Sequence, residues 1–303
     1  MSEQLFLSPL EDTVVIVGVG LIGGSLAAAL KHRNVARTVI GVGRDAARIE
    51  SARVAGLIDE ATTDIASVIR RANLVVFCTP VDRVATDVRV AEEALKKKSS
   101  TQLVTSGSKS DLLLTDVGSV KAPICEELAG VFRFIGSHPI AGSHRQGFEA
   151  ADAKLFEGRM CVVTPVATSP AQQVNRLEKF WQAVGMRTVQ MSPAAHDHSL
   201  AMTSHLPHLI AATLASTLSS DNRHLTGSGF RDTTRVAAGD PALWTAIMLS
   251  NAESILRGID EFQQKIAAWR EALASRNAEE IQKLLTEGQT ARAALDKTVI
   301  GID

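Results

Sequence analysis

The side chains best suited to chemistry lie in short polar segments that follow predicted buried strands. One such segment, Ser137-His138-Pro139-Ile140-Ala141-Gly142-Ser143, comes directly after the predicted strand Phe132–Gly136. Histidine has a pKa near neutrality, so His138 could accept the proton of a substrate hydroxyl while a hydride leaves the same carbon. The alternative is that His138 only caps the turn before Pro139. Its position at a strand end favours the catalytic interpretation.

Two other predicted strands also end beside polar side chains. The strand that begins at Leu74 ends at Thr79-Pro80, and the strand Leu112–Asp116 leads into Gly118-Ser119. Ligands of open α/β sheets bind outside the carboxyl ends of the strands. The sequence therefore predicts that Thr79, Ser119 and His138 lie on one rim of a sheet.

A second polar cluster opens the C-terminal half, at His196-Asp197-His198 and Ser204-His205-Leu206-Pro207-His208. On a helix, Asp197, Ser204 and His208 fall near one face. Several histidines so close together could indicate a metal site. Zinc sites usually include Cys or carboxylate ligands at recognisable spacings, however, and Pro207 would distort a helical histidine pair. We therefore predict no metal.

Farther along, Gly229-Phe-Arg-Asp-Thr-Thr-Arg235 places Arg231 and Arg235 four residues apart, on one helical face. Arginine pairs bidentately with carboxylates, so the two could bind an anionic substrate. The alternative is a solvated surface turn, and it has most weight for Arg231, which has an acid beside it.

These groups need a scaffold, and residues 14–43 predict one. The β-branched run from Val14 leads into Gly18-x-Gly20-x-x-Gly23, then into a helix over Leu21–Lys31 and a strand over Thr38–Gly43. In a dinucleotide-binding turn, the first glycine permits the turn, the second admits the pyrophosphate and the third allows close helix packing. Gly18, Gly20, Leu21, Ile22 and Gly23 are thus predicted to bind a cofactor. A tight turn without a ligand is the alternative.

Composition restricts the class of protein. The 303 residues are 45% hydrophobic and 21% charged, with a net charge of −1. These values indicate an ordinary soluble protein of about two domains, without the basic surface that nucleic acids or membranes require. Three widely spaced cysteines and an acidic N-terminus without a signal peptide predict a cytoplasmic location.

The order of elements predicts the fold class. Strands alternate with helices up to about residue 192, which indicates a Rossmann-type, doubly wound and mostly parallel sheet over residues 1–192. An all-helical domain follows over residues 193–303, and its apolar faces must be buried either internally or against a second subunit. Its apolar stripe from Ile255 to Leu273 predicts one long helix, and Asn277 with Glu280 predicts the cap of another. The polar stretch Lys96–Asp111 is expected to be an exposed loop.

Taken together, these motifs resemble those of the prephenate dehydrogenase family, which includes arogenate and cyclohexadienyl dehydrogenases. The resemblance covers nearly the whole chain. It rests on Gly18–Gly23, Asp116-Val-Gly-Ser-Val-Lys121, Ser137-His-Pro-Ile-Ala-Gly142, Glu149-Ala-Ala…Leu155-Phe-Glu-Gly-Arg159, Ser204-His-Leu-Pro-His208 and Gly229-Phe-Arg-Asp-Thr-Thr-Arg235.

The resemblance implies oxidative decarboxylation of prephenate to 4-hydroxyphenylpyruvate in tyrosine biosynthesis, by a homodimer that forms through the helical domain. It implies that His138 accepts the hydroxyl proton and that Ser119 bridges the substrate hydroxyl and the nicotinamide. Substrate binding would fall to four residues: Arg235, His208, Ser204 and Ser143. Asp197 and Arg231 would shape the pocket.

Two departures from the family pattern bear on specificity. His144 stands where the family often has an acid, and Arg145 follows it. The added positive charge should disfavour the ammonium of arogenate. We therefore expect prephenate, with arogenate as the alternative. The second strand ends in Gly43-Arg44-Asp45, and arginine suits a 2′-phosphate, so NADP is expected over NAD. Asp45 keeps NAD open.

Two further alternatives remain. A β-hydroxyacid dehydrogenase shares the glycine turn and a helical second half, but its catalytic lysine motif has no match here. A non-catalytic protein that senses nucleotides or binds metal would not reduce either nicotinamide cofactor in the presence of prephenate.

Overall fold

The computed structural model describes residues 8–97, 112–142 and 145–300, with side chains to residue 295. Most of the predicted loop Lys96–Asp111, and both Ser143 and His144, lie outside the described residues. The strands are β1 (Glu11–Val17), β2 (Ala36–Val42), β3 (Glu60–Thr62), β4 (Leu74–Phe77), β5 (Leu113–Asp116), β6 (Gly136–Pro139), β7 (Met160–Thr164) and β8 (Arg187–Gln190). The helices of the first part are α1 (Leu21–His32), α2 (Ala46–Val54), α3 (Val84–Lys97), α4 (Ala122–Glu127) and α5 (Ala171–Ala183).

The strands form a five-stranded sheet in the order β3-β2-β1-β4-β5 and a three-stranded sheet in the order β6-β7-β8. All pairs of the first sheet are parallel. A single parallel bridge, Leu114 to Phe134, joins β5 to the segment just before β6. The predicted doubly wound, mostly parallel sheet is therefore confirmed, and the antiparallel β6–β7 pair is its exception.

Both faces of the five-stranded sheet are buried, which explains the nearly continuous apolar run in β1. Val14 and Ile16 pack in one core cluster together with Leu26 of α1. Val15 points to the opposite face and packs in a second cluster with Val84 of α3. The sheet is thus packed between two helical layers, and this packing positions the residues at its carboxyl edge.

One predicted strand needs correction, and one strand was not predicted. The strand predicted at Phe132–Gly136 lies later, at Gly136–Pro139, so His138 is inside a strand and does not follow one. Pro139 is tolerated there because β6 is an edge strand that pairs with β7 alone. Strand β3 was not predicted, since its three residues carry no apolar run.

The remaining elements are helical, as predicted. They are α6 (Pro193–Leu200), α7 (Leu206–Ser216), α8 (Ser228–Thr234), α9 (Pro241–Ser250), α10 (Ala252–Ala274) and α11 (Ala278–Ile300). A π-helical turn, Ala201–His205, connects α6 to α7. The long amphipathic helix is confirmed as α10, and the Asn277 side chain accepts the Glu280 N–H at 3.1 Å at the start of α11.

The chain divides into two compact units, Met1–Ala252 and Glu253–Asp303. Helices α6–α9 therefore share a unit with the sheets, whereas α10 and α11 form the second unit almost entirely. The boundary predicted after residue 192 is a different division and stays a prediction. None of the helices that the structure describes is both long enough and apolar enough to cross a membrane.

Candidate active site

The glycine turn after β1 has the geometry that a bound phosphate requires. Gly18 has a φ of +92°, and a Cβ there would lie 2.9 Å from the carbonyl oxygen of Cys78. A Cβ on Gly23 would overlap the carbonyl oxygen of Gly18, so this glycine permits the close contact of α1 with the turn. Gly20, by contrast, faces open space. Leu21 and Ile22 follow as the first residues of α1, whose N-terminus has no side-chain cap.

This turn opens into a cleft of about 470 Å³ at the carboxyl edge of the sheet. Gly18, Gly20, Thr79 and Pro80 line it, together with Arg44 at the end of β2. The Thr79 hydroxyl is buried and has no hydrogen-bond partner among the described residues. A buried hydroxyl without a partner costs free energy, and a polar ligand in the cleft would remove that cost. The residues therefore fit a dinucleotide.

Asp45 and Arg44 differ in what they offer to a ligand. The Asp45 carboxylate caps α2 by accepting the N–H groups of Ala47 at 2.9 Å and Arg48 at 3.0 Å. Arg44 is exposed at the cleft and makes no ion pair within the part of the chain that the structure describes. Because the Asp45 carboxylate already caps α2, the unpaired Arg44 guanidinium is the better candidate to bind a ligand at this end of the cleft.

His138 is buried in β6, with 8% of its surface exposed. Its Nδ1 lies 2.8 Å from Nε2 of His196, and the two rings meet edge to face. Burial lowers the pKa of His138 well below 6.5, and the charges of His196, Lys121 and His205 lower it further. The imidazole is therefore neutral at physiological pH, as a general base must be.

A buried ion pair holds β6 against the turn that carries Ser119. Lys121 and Asp116 have no exposed side-chain surface, and the Lys121 ammonium donates to the Asp116 carboxylate. The ammonium also donates to the carbonyl oxygen of Ser137 at 3.1 Å, directly before His138. Ser119 is half-buried in this turn. The ion pair thus helps to position Ser119 and His138. The Lys121 ammonium is already paired and is not available to a ligand.

Asp197 connects this turn to the first helix of the C-terminal half. Its two carboxylate oxygens accept the backbone N–H groups of Lys121 and Ala122, each at 2.7 Å. These N–H groups lie at the N-terminus of α4, where backbone donors lack helical partners and favour negative charge. Nδ1 of His196 lies 2.7 Å from Oδ1 of the same carboxylate. Asp197 thus joins α6 to the start of α4, and its role in shaping a substrate pocket stays a prediction.

A chain of contacts leads from Asp197 to His208. Asn251 donates to the carbonyl oxygen of Asp197 at 2.8 Å and lies 3.1 Å from Nδ1 of His205. The ring of Trp244 contacts His205 edge to face and stacks on His208, with the centroids 3.5 Å apart. Nδ1 of His208 is buried without a partner among the described residues, and burial lowers the pKa of this imidazole. His208 thus retains a free polar atom for a ligand.

The predicted arginines lie in the segment that follows α7, the helix that carries His208. Arg231 is in α8 and Arg235 begins the turn Arg235–Ala238, and both are exposed. Gly239, directly after this turn, is packed so closely that a Cβ on it would lie 3.0 Å from the His208 ring. Arg235 is therefore carried by a short turn that ends against His208.

Comparison with known proteins decides the family. Residues 26–190 match the domain described as "Prephenate dehydrogenase, nucleotide-binding domain". Residues 192–287 match "Prephenate dehydrogenase, dimerization domain". The chain belongs to the prephenate dehydrogenase family.

Individual members of the prephenate dehydrogenase family resemble it over most of its length. The chain is 32% identical to the prephenate dehydrogenase of Bacillus subtilis over 95% of this chain and 77% of that protein. It is 36% identical to the cyclohexadienyl dehydrogenase of Zymomonas mobilis, over 93% and 95% of the two chains. The crystal structure of Aquifex aeolicus prephenate dehydrogenase with hydroxyphenyl propionate and NAD+ has a TM-score of 0.82 and 31% identity, and covers 94% of this chain and 98% of that one.

The sequence did not identify several residues that build the site of this prephenate dehydrogenase family member. His196, Asn251 and Trp244 had no assigned role, although the His-Asp-His motif contained the first of them. The π-helical turn explains part of the difficulty. It adds a residue to one turn, and His205 shares Asn251 as a partner with the carbonyl oxygen of Asp197. Ser204 is half-buried.

The histidines of the C-terminal half lie close together in the sequence, a pattern that also occurs at metal sites. Among the residues that the structure describes, no group of three or more His, Cys, Asp or Glu side chains is arranged to hold a metal ion. The histidines instead contact one another, Asn251 and Trp244.

Proposed function

We propose that this protein catalyses the oxidative decarboxylation of prephenate to 4-hydroxyphenylpyruvate with NAD(P)+ as the oxidant. The observation that carries the proposal is the position of His138 in a member of this family: its imidazole is buried, and the preceding residue, Ser137, donates a hydrogen bond to the carbonyl oxygen of Asp116 at the carboxyl end of β5. The test is a four-way assay of the pure protein, with prephenate or arogenate and with NAD+ or NADP+. Reduction of neither cofactor with either substrate would contradict the proposal.

His138 provides acid–base chemistry at the substrate hydroxyl. A nicotinamide cofactor held at the glycine turn would supply the hydride acceptor for the hydroxyl-bearing ring carbon. Nε2 of His138 accepts the hydroxyl proton as this C–H bond breaks. The ring carboxylate leaves as carbon dioxide, and its bonding electrons aromatise the ring to a phenolate, which takes the proton back from His138. Since aromatisation makes the step downhill, the chief task of the protein is orientation.

The other site residues bind or orient the substrate in this proposal. Ser119 bridges the substrate hydroxyl and the cofactor, and Arg235 binds a substrate carboxylate. His208 offers its unpartnered Nδ1 to the substrate, alongside Ser204 and Ser143. Asp197 and Arg231 shape the pocket. The contacts from His138 through Asp197 and Asn251 to His208 support a single site, because they join the sheet edge to the helices near Arg235.

For Arg235→Gln, we expect the KM for the substrate to rise about 10- to 100-fold with a smaller change in kcat. The reason is that a hydrogen bond to a charged group contributes about 1.5–3 kcal/mol. Steady-state kinetics measure both constants. Arg223→Gln, a change at another exposed arginine, is the control and should leave KM unchanged. An unaltered KM in Arg235→Gln would exclude the carboxylate contact.

Prephenate is the proposed substrate in preference to arogenate. The two differ in the side chain, where arogenate carries an ammonium in place of the keto group of prephenate. His144 and Arg145 add positive charge in the segment after Gly142, which disfavours a cationic substrate. Faster turnover of arogenate would reverse this assignment.

NADP is the proposed cofactor in preference to NAD, because Arg44 is free at the cleft whereas Asp45 caps α2. For Arg44→Ala we expect the KM for NADP+ to rise about 10- to 100-fold, with little change for NAD+, since only NADP+ carries the 2′-phosphate. Arg37→Ala is the control, because Arg37 pairs with Asp12 away from the cleft. Equal losses for both cofactors would show that Arg44 does not bind the 2′-phosphate.

We also propose a homodimer that forms through the helical region, in a cytoplasmic enzyme with domains at residues 1–192 and 193–303. The apolar stripe of α10 supports the dimer. Phe262 is 36% exposed, Ile266 50% and Leu273 60% in the single chain. Exposed apolar surface of this kind is unfavourable in water, and a second apolar face would bury it. Sedimentation of the pure protein measures the oligomeric state.

A further inference from the structure

We propose that His196 is a positioning residue that sets the tautomer of His138, through a hydrogen-bonded series His138–His196–Asp197. Nδ1 of His138 lies 2.8 Å from Nε2 of His196, and Nδ1 of His196 lies 2.7 Å from Oδ1 of Asp197. The His196 side chain is completely buried, so water does not compete for either contact. The inference rests on the proposed function, in which His138 is the general base.

The direction of the series begins at Asp197. Its two carboxylate oxygens accept the N–H groups of Lys121 and Ala122, so both oxygens already act as hydrogen-bond acceptors. An ionised carboxylate can only accept hydrogen bonds, so the hydrogen between Asp197 and His196 belongs to Nδ1 of His196. Asp197 therefore determines the tautomer of His196.

The tautomer of His196 then determines that of His138. With one hydrogen on the ring, placed on Nδ1 by the contact with Asp197, Nε2 of His196 is left as an acceptor. It accepts the Nδ1–H of His138, which leaves Nε2 of His138 without a hydrogen. This nitrogen is the one that must receive the substrate proton. The opposite tautomer would present an N–H to the substrate hydroxyl and could not act as a base.

The same contacts stabilise the protonated state of His138. When Nε2 of His138 takes the hydroxyl proton, the whole ring becomes positively charged. Its Nδ1–H already donates to His196. His196 in turn donates to the Asp197 carboxylate. No second proton transfer is needed, and the proton on Nε2 remains available for return to the phenolate.

Two substitutions of His196 separate positioning from packing. The amide of glutamine takes roughly the place of Nε2, so His196→Gln retains an acceptor for His138. The amide of asparagine takes roughly the place of Nδ1, so His196→Asn retains the contact with Asp197 and loses the one with His138. In the full-length protein with prephenate and NADP+, we expect kcat to fall about 10- to 100-fold in His196→Asn and clearly less in His196→Gln. His198→Asn, at an exposed position of the same helix, is the control and should retain wild-type kcat.

The tautomer is measured directly by ¹⁵N NMR of histidine-labelled enzyme without substrate, with the His138 signals assigned by their loss in His138→Asn. We expect hydrogen on Nδ1 of His138 in the wild type and a mixture of tautomers in His196→Asn. Hydrogen on Nε2 in the wild type would overturn the inference, and so would equal losses of kcat in the two His196 variants or an unchanged kcat in His196→Asn. A wild-type protein that does not oxidise prephenate would instead contradict the proposed function, and the NMR result would still decide the tautomer.

Discussion

We expect His138→Asn to lower kcat for prephenate oxidation by about two to four powers of ten, the usual contribution of a general base. The asparagine amide lies near the position of Nδ1 and can still donate to His196, so the substitution removes Nε2 and little else. Cofactor binding and thermal stability should therefore stay close to wild type. Steady-state kinetics, cofactor titration and circular dichroism measure the three quantities.

The pH profile provides a second test of the same residue. Because burial lowers the pKa of His138, its neutral form persists below pH 6.5 in the free enzyme. The acid limb of kcat/KM should accordingly lie below pH 6.5, with a plateau through neutrality. A rate that His138→Asn leaves unchanged, or an acid limb above the ordinary histidine range, would exclude the general-base role.

The parts of the fold that sequence predicts well are those with strong local signals. A β-branched run followed by the glycine turn and a helix predicted β1, α1 and β2 closely, because each of these elements is determined by its own residues. Strand β6 was misplaced because its residues, Gly-Ser-His-Pro, have poor strand propensity. Pairing with β7 and the buried ion pair beside it make this segment a strand, and neither can be inferred from local pattern.

The candidate site divides in the same way. His138, Asp197 and His208 could be selected from motif and position, since each lies in a recognisable polar segment. The partners of these residues could not, because they come from distant parts of the chain. Asn251, for example, reaches Asp197 from the end of α9, and no spacing rule connects the two. The π-helical turn also shifts the face on which His205 lies, and propensity does not reveal such a turn.

The buried pair beneath β6 leads to the second large prediction, for Lys121→Met. We expect the free energy of unfolding to fall by about 3–5 kcal/mol, because the substitution leaves the Asp116 carboxylate buried without its cation. Urea unfolding at a fixed protein concentration measures the loss. Lys265→Met is the matched control, since that lysine pairs with Glu287 at an exposed position and should cost little.

The double variant Asp116→Asn/Lys121→Met distinguishes an uncompensated charge from lost packing. It removes both charges and leaves an amide oxygen that can still accept the Gly118 N–H, which donates to Asp116 at 2.8 Å. We expect it to recover much of the stability lost in Lys121→Met, since replacing both partners of a buried pair is often nearly neutral. Catalysis should recover less than stability, because the bond from Lys121 to the carbonyl oxygen of Ser137 is lost in both variants and His138 is the next residue. Full recovery of kcat in the double variant would show that this bond does not position the imidazole.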